Sequence, residues 1–171
     1  MNMFVVLDLE TTGLSPKNDL ILECALIIVD EQLNEIRRWS RLVRPECAPV
    51  MSPYVCSMHT KNLLLADLSC EHVSTCRDLD RDLGRQFHVH TPRTIVLVGN
   101  SIHFDRGFLF EQCPAFYTLL SHQQVDVSSF NVCEKVWGSH TKGASEHRAM
   151  GDCESSLAQL RAYKARFWGS K

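Results

Sequence analysis

Asp8 and Glu10 stand two residues apart at the end of an apolar run, MFVVLDL over residues 3–9, just before the turn-prone stretch TTGLSPKND. Residues i and i+2 of a strand project from one face, so the two carboxylates share a side. Two acids ending an otherwise apolar strand are costly unless a cation meets them. Asp105 follows a second apolar run, TIVLV at 94–98, after the stop Gly99-Asn100-Ser101, and Asp152 lies in the final helical segment. Four carboxylates from three separated elements are what a pair of hard divalent cations needs, and magnesium or manganese suits an all-oxygen ligand set. His147 precedes Asp152 by five residues. On a continuous helix that spacing is about 140° off-face, so His147 reaches the same site from the loop or first turn before the helix. An unperturbed imidazole titrates near about 6.5, which suits taking a proton from a polarised water.

Each of these side chains also has an ordinary use. An acid at a strand end commonly serves a turn, Asp105 would cap a helix beginning near 104, and Asp152 would sit in solvent. The pairing of Asp8 with Glu10 beside an apolar run is what favours a site. Eight histidines dilute the signal of any one of them, and His72, His88, His90 and His140 are expected on the surface.

The elements that must position these groups follow from the pattern. Residues 3–9, 20–30 and 35–43 read as three strands, the last two joined by a hairpin loop at 30–34. RPECAPVMSP, with three prolines in ten residues, is irregular connection. The spacing predicts helices over 57–67 and 72–88, a buried strand at 94–98, helices over 104–112 and 115–121 separated by Pro114, a very short strand at 125–127, and helices over 128–137 and 147–167. The order βββ-α-β-α-β-α with apolar central strands predicts an α/β fold, a mixed sheet with helices on both faces. No repeat, linker or low-complexity segment divides the chain, so residues 1–171 are expected to form a single domain.

Composition narrows the function. Among 171 residues, 44% are hydrophobic and 22% charged, enough for a real core, since a chain of this length buries roughly 70% of its extended surface. Lys plus Arg number 18 against 20 Asp plus Glu, so no global basic field holds long nucleic acid and a polyanion must be met by a local site or a metal. No apolar run is long enough for a membrane span, and MNMFVVLDLE lacks the positive start of a signal peptide, so a cytoplasmic location is expected. The eight cysteines (Cys24, Cys47, Cys56, Cys70, Cys76, Cys113, Cys133 and Cys153) contain no CxxC and no zinc-finger spacing, and most are expected to be small core hydrophobes in a reducing compartment.

Three segments taken together are specific: Asp8-Leu9-Glu10-Thr11-Thr12-Gly13-Leu14, Gly99-Asn100-Ser101-Ile102-His103-Phe104-Asp105 and His147-Arg148-Ala149-Met150-Gly151-Asp152. They resemble the three exonuclease motifs of the DEDDh superfamily of 3′-to-5′ exonucleases, which has a ribonuclease H-like fold and uses two divalent metals. Within it the chain is most similar to oligoribonucleases, also through Asp126-Val127-Ser128 and the ending SEHRAMGDCESSLAQL, over roughly residues 3–163. The resemblance implies that Asp8, Glu10, Asp105 and Asp152 ligate the two metals and that His147 is the general base. It also implies that Leu14 and Tyr54 wedge and stack terminal bases, and that His59 and Ser101 contact phosphate. Tyr54 falls where oligoribonucleases usually carry Trp, and its plain alternative is a packed loop aromatic. One departure stands out: Ser121-His122-Gln123 replaces a His-Tyr-Arg segment that helps cap a 5′ phosphate, partly across a homodimer interface, and His122 is the candidate replacement. The implied activity is release of 5′-mononucleotides from short single-stranded oligonucleotides, dinucleotides among them, RNA or DNA, by a homodimer. The alternative is a broader exonuclease of the same superfamily, proofreading-subunit-like or ribonuclease T-like, acting on longer 3′ ends. A catalytically silent binding module on this scaffold would be expected to lack one of the five groups.

Overall fold

Strands form where β-branched and aliphatic residues run without interruption, and the sheet is built from five such runs. The computed structural model describes residues 3–45, 49–69, 73–87, 93–137 and 147–169. The strands are β1 (Met3–Thr11), β2 (Ile21–Val29), β3 (Glu35–Leu42), β4 (Ile95–Gly99) and β5 (Leu120–Asp126). Their order is β3-β2-β1-β4-β5, with β1, β2 and β3 antiparallel in sequence and β4 and β5 added parallel to β1. β2 lies between β3 and β1 with a core on each face, and it is buried at every residue.

Alternation along the strands supplies two cores. Val5, Leu7, Leu9, Cys24, Leu26 and Ile28 face α3 (Cys76–Gln86), α4 (His103–Gln112) and α5 (Pro114–Tyr117), meeting Leu79, Leu83, Phe108 and Phe116. Val6, Ala25, Ile27 and Val29 face the opposite way, onto Val127 of α6 (Val127–Trp137) and Cys153, Leu157 and Leu160 of α7 (Ala149–Trp168). Asp8 and Glu10 share the parity of Val6, so they point toward the α7 layer. Helices on both faces of a mixed sheet match the expected architecture. The edge strand β3 carries Arg38 paired with Glu35 and Glu154, and Arg41 paired with Asp82, a charged rim that disfavours adding another strand.

Three stretches differ from the expected elements, the first being the helix expected over 72–88, which spans Cys76–Gln86 because Thr75 caps its start by accepting from the Asp78 N–H. The helix expected over 57–67 is two helices, α1 (Pro53–Lys61) and α2 (Leu64–Asp67), broken at Leu63, whose φ of 64° is left-handed. Its true start is set by Ser52, whose hydroxyl accepts from the Val55 N–H at 3.2 Å, with Pro53 in the first helical position. The helix expected over 115–121 ends at Tyr117, and the strand expected at 125–127 begins at Leu120, because ladder pairing with β4 recruits the polar stretch Ser121–Gln124. Of the described cysteines, all free, Cys24, Cys113 and Cys153 are core residues as expected, whereas Cys56 and Cys133 are exposed. Cys47 and Cys70, and the histidines 72, 88, 90 and 140, lie outside the described residues. No helix among the described residues is long and apolar enough to cross a membrane.

Gly99 closes β4 at the point where the sheet meets the acidic residues. A Cβ there would lie 2.8 Å from the Leu7 carbonyl oxygen and 2.9 Å from Ile102 Cδ1. Gly99→Ala is therefore expected to destabilise the fold by about 1–3 kcal/mol through overpacking against backbone. Thermal denaturation measures this directly, and an unchanged midpoint would mean that the β1–β4 junction is looser than described.

Candidate active site at the end of β1

The end of β1 is where β4 has run out. Pairing between them extends to Val6 opposite Val98, and farther along, the Leu9 N–H donates instead to Asp105 Oδ1 at 2.9 Å. Asp105 sits in the first turn of α4 and is only 4% exposed, so this bond both satisfies a strand donor and fixes the carboxylate beside Asp8. Asp152 occupies the first turn of α7. The single ligating atoms of Glu10, Asp152 and His147 lie within 4.8 Å of one another. Asp8 lines the same pocket of about 550 Å³, whereas Asp105 stands behind it.

The electrostatics follow from crowding acids away from water. Burial first, then the charges of Asp105, Asp152, Glu10 and Glu23, push Asp8 well above the carboxylate range. Burial and the neighbouring Asp152 and Glu23 raise Glu10 to about 8, opposed by Arg148. Asp105 is raised to about 7 by burial, partly offset by the Leu9 N–H it accepts. Such groups gain from a divalent cation, which favours the ionised form as the neighbouring acids disfavour it. The carboxylate oxygens fit a hard cation, and the His147 ring nitrogen stands beside them.

His147 lies outside α7, which begins at Ala149 and not at 147 as expected, and this suits its off-face spacing from Asp152. It is exposed, with a left-handed φ of 52°, and the following residue, Arg148, is the N-cap of the helix. Glu23, buried at 6% exposure, takes the Arg148 guanidinium on both oxygens at 3.1 Å and also accepts from the Ala149 N–H at 3.1 Å. Glu23 was not singled out from sequence. The signal was present as the one acid inside the apolar run 20–29, directly across the ladder from Glu10.

The pocket walls are apolar at one end and polar at the other. Leu14, 82% exposed, and Tyr54, 73% exposed on the first turn of α1, both line it, so Tyr54 is not packed away. Ser128, Asn131 and Lys135 of α6 and Ser155, Ser156 and Gln159 of α7 line the other side. These residues were missed individually, although their i, i+3, i+4, i+7 spacing from Ser128 and Asp152 was readable. Asn131 donates to Asn100 Oδ1 at 3.2 Å and Gln159 Oε1 at 3.0 Å, and Asn100 donates to Ser156 Oγ at 2.9 Å, tying the β4 end to both helices.

The remaining candidates fall elsewhere. His59 is fully buried, with Nε2 bonded to the Thr11 carbonyl at 2.9 Å and Nδ1 3.8 Å from Glu10, so it stands behind the acids and is not on the pocket wall. Ser101, exposed with φ 52°, donates its N–H to Asp126 and is beside the pocket lining, not in it. His122 is exposed on the edge strand β5 and does not line the pocket.

Comparison with known proteins agrees with this geometry. Residues 5–160 match the exonuclease (RNase_T) family model. The chain is 32% identical to the probable oligoribonuclease of Dictyostelium discoideum, with 94% of this chain and 87% of that one covered. It is 34% identical to the oligoribonuclease of Streptomyces avermitilis (94% and 84% covered) and 33% identical to that of Azoarcus sp. strain BH72 (97% and 95%). Among solved structures, E. coli exonuclease I in a zinc-bound complex with single-stranded DNA superposes with a TM-score of 0.75 at 16% identity. That alignment covers 97% of this chain but 41% of exonuclease I, and it establishes the ribonuclease H-like α/β fold. With the motifs, the fold and these relatives in agreement, the chain belongs to the exonuclease family as an oligoribonuclease-like member of the DEDDh superfamily, a 3′-to-5′ exonuclease of the phosphodiester-hydrolase class.

Proposed function

We propose that the enzyme removes 5′-mononucleotides from the 3′ ends of short single-stranded oligonucleotides, dinucleotides included, with two magnesium or manganese ions. The observation that carries this reading is the convergence of Glu10, Asp152 and His147 in a pocket rimmed by the exposed side chains of Leu14 and Tyr54. Asp8, Glu10, Asp105 and Asp152 would hold the cations. When bound, these supply Lewis-acid polarisation of the attacking water and neutralise charge on the leaving 3′ oxygen.

The chain's own groups do the rest. His147, on an exposed turn above the acids, offers a ring nitrogen to receive the water's proton. Asp105, pinned by the Leu9 N–H, keeps its second oxygen oriented while β1 and α4 stay rigid around it. Leu14 and Tyr54 offer apolar faces to a base, contacts that tolerate any sequence. A volume of about 550 Å³ is in the range of small-ligand pockets, which favours one or two nucleotides over a long strand. Among the described residues Lys135 is the one Lys or Arg lining it. The reading extends to a homodimer, supported by the exposed Val136, Trp137, Phe167 and Trp168 at the ends of α6 and α7.

The central test compares rates per 3′ end on a dinucleotide and a 20-mer, in ribo and deoxy form, with and without chelator. The dinucleotide is expected to be cleaved faster, chelation to abolish turnover, magnesium to restore it, and His147→Ala to cost about 10²–10⁴-fold in rate. Equal or faster turnover of the 20-mer would replace this reading with the broader-exonuclease one.

Tyr54→Ala is expected to weaken dinucleotide handling by about 1–3 kcal/mol, the worth of one stacked base, seen in kcat/KM. An unchanged kcat/KM would leave Tyr54 without a stacking role.

The raised carboxylates also set a pH dependence. Unfolded, they titrate near about 4; folded and metal-free, Asp105 titrates near about 7 and Glu10 near about 8. The folded state thus binds more protons between these limits, so chelated protein is expected to lose stability as pH rises from about 5 to 8. Below about pH 4 both states are protonated and the penalty vanishes. Melting in EDTA across this range should show the decline, magnesium should reverse it at pH 8, and Glu10→Gln should flatten it. A profile identical in wild type and Glu10→Gln would mean that Glu10 is not strained.

A further inference from the structure

His147 stands on a left-handed backbone turn in front of α7, a conformation that persists where the surrounding structure holds it. What surrounds the turn is a set of charged groups that touch neither pocket nor substrate. Arg148 reaches back across the sheet with a two-pronged contact to both oxygens of Glu23, each at 3.1 Å, while its remaining amine donates to Asp67 Oδ2 at 2.9 Å and to the Asn62 carbonyl at 3.2 Å. The Asn62 side chain in turn donates to the carbonyl of His147 itself. Glu23 also accepts from the Ala149 N–H, closing the first turn of α7, whose N-cap residue makes no side-chain cap of its own. His147, Arg148 and Ala149, three consecutive residues, are thereby tied to β2 and to the α1–α2 turn.

We infer that Glu23, Arg148, Asp67 and Asn62 form a clamp that holds the His147 turn over the carboxylates, which makes Arg148 a positioning residue of the hydrolysis. The inference rests on the assignment of His147 as the proton acceptor. The geometry goes beyond ordinary surface pairing. Fork-to-carboxylate contacts fix orientation as well as distance, and Glu23 is buried and shares the ladder position of Glu10, so the clamp is anchored on the same strand pair that carries the acids. Arg148 also neutralises Glu23, a carboxylate that would otherwise stand unopposed beside Glu10.

The test is a double-mutant cycle between Arg148→Gln and His147→Ala, assayed on a dinucleotide in saturating magnesium at a temperature well below both melting points. Arg148→Gln alone is expected to lower kcat on the order of 10–100-fold, the cost of misplacing a reacting group by about an ångström, with KM within about twofold. Placed in His147→Ala, the same substitution is expected to slow turnover by less than about twofold, because the group it positions is already gone. A merely structural Arg148 would slow both backgrounds by the same factor, and that result overturns the clamp while leaving the His147 assignment intact. If His147→Ala alone turns over like wild type, the assignment falls and the clamp with it. Asp67→Asn, at a half-exposed position, repeats the cycle in the event that Arg148→Gln does not fold, with a smaller loss of the same pattern expected.

Discussion

The structure depends on holding several carboxylates together with little water to screen them. Burial alone drives Asp8, Glu10 and Asp105 toward their protonated forms, and each charge worsens its neighbours. A flexible scaffold would relieve that repulsion by moving the acids apart. Here they cannot move, because β1 lies at the centre of the sheet with a core on each face. The two acids from outside the strand, Asp105 and Asp152, both occupy first turns of helices, where the aligned peptide dipoles favour negative charge. The fold therefore maintains an arrangement that is unfavourable by itself and that a bound cation would favour.

Much of this was readable from residue order, for identifiable reasons. The two-residue period of a strand places Asp8 and Glu10 on one face without any coordinates, and the five-residue step from His147 to Asp152 placed His147 in the loop or first turn. What escaped is what depends on partners distant in sequence. The polar stretch 121–124 has no intrinsic strand pattern, yet it pairs with β4 because β4 offers a free edge. Ser52 and Pro53 carry a helix start that the apolar periodicity of 57–67 obscured. His59 matched a phosphate-contacting position, but its burial and its bond to the Thr11 carbonyl depend on how α1 lies against β1.

Glu23 illustrates the same limit from the other side. One acid in an apolar strand is a visible anomaly, since a buried carboxylate needs a partner. Nothing in residues 20–30 says that the partner is Arg148, 125 residues away, or that the pair would stand beside Glu10. Antiparallel registry supplies that information: Glu10 opposite Glu23 is a pairing of like charges that only a third, cationic group makes tolerable.

The departure at Ser121-His122-Gln123 takes on a physical meaning once the pocket is seen. An arginine at position 123 would have stood on β5, whose exposed residues 122 and 123 do not line the described cavity. The polar end of the cavity is instead made by α6 and α7, through Asn131, Gln159 and Lys135, cross-linked to the β4 end by Asn100 and Ser156. Gln123 therefore takes no part in those walls. On β3, Arg38 and Arg41 are paired with acids and Arg37 donates to Gln86. With Lys135 the one Lys or Arg on those walls among the described residues, cations held at the acids would supply most of the positive charge that a phosphate meets there.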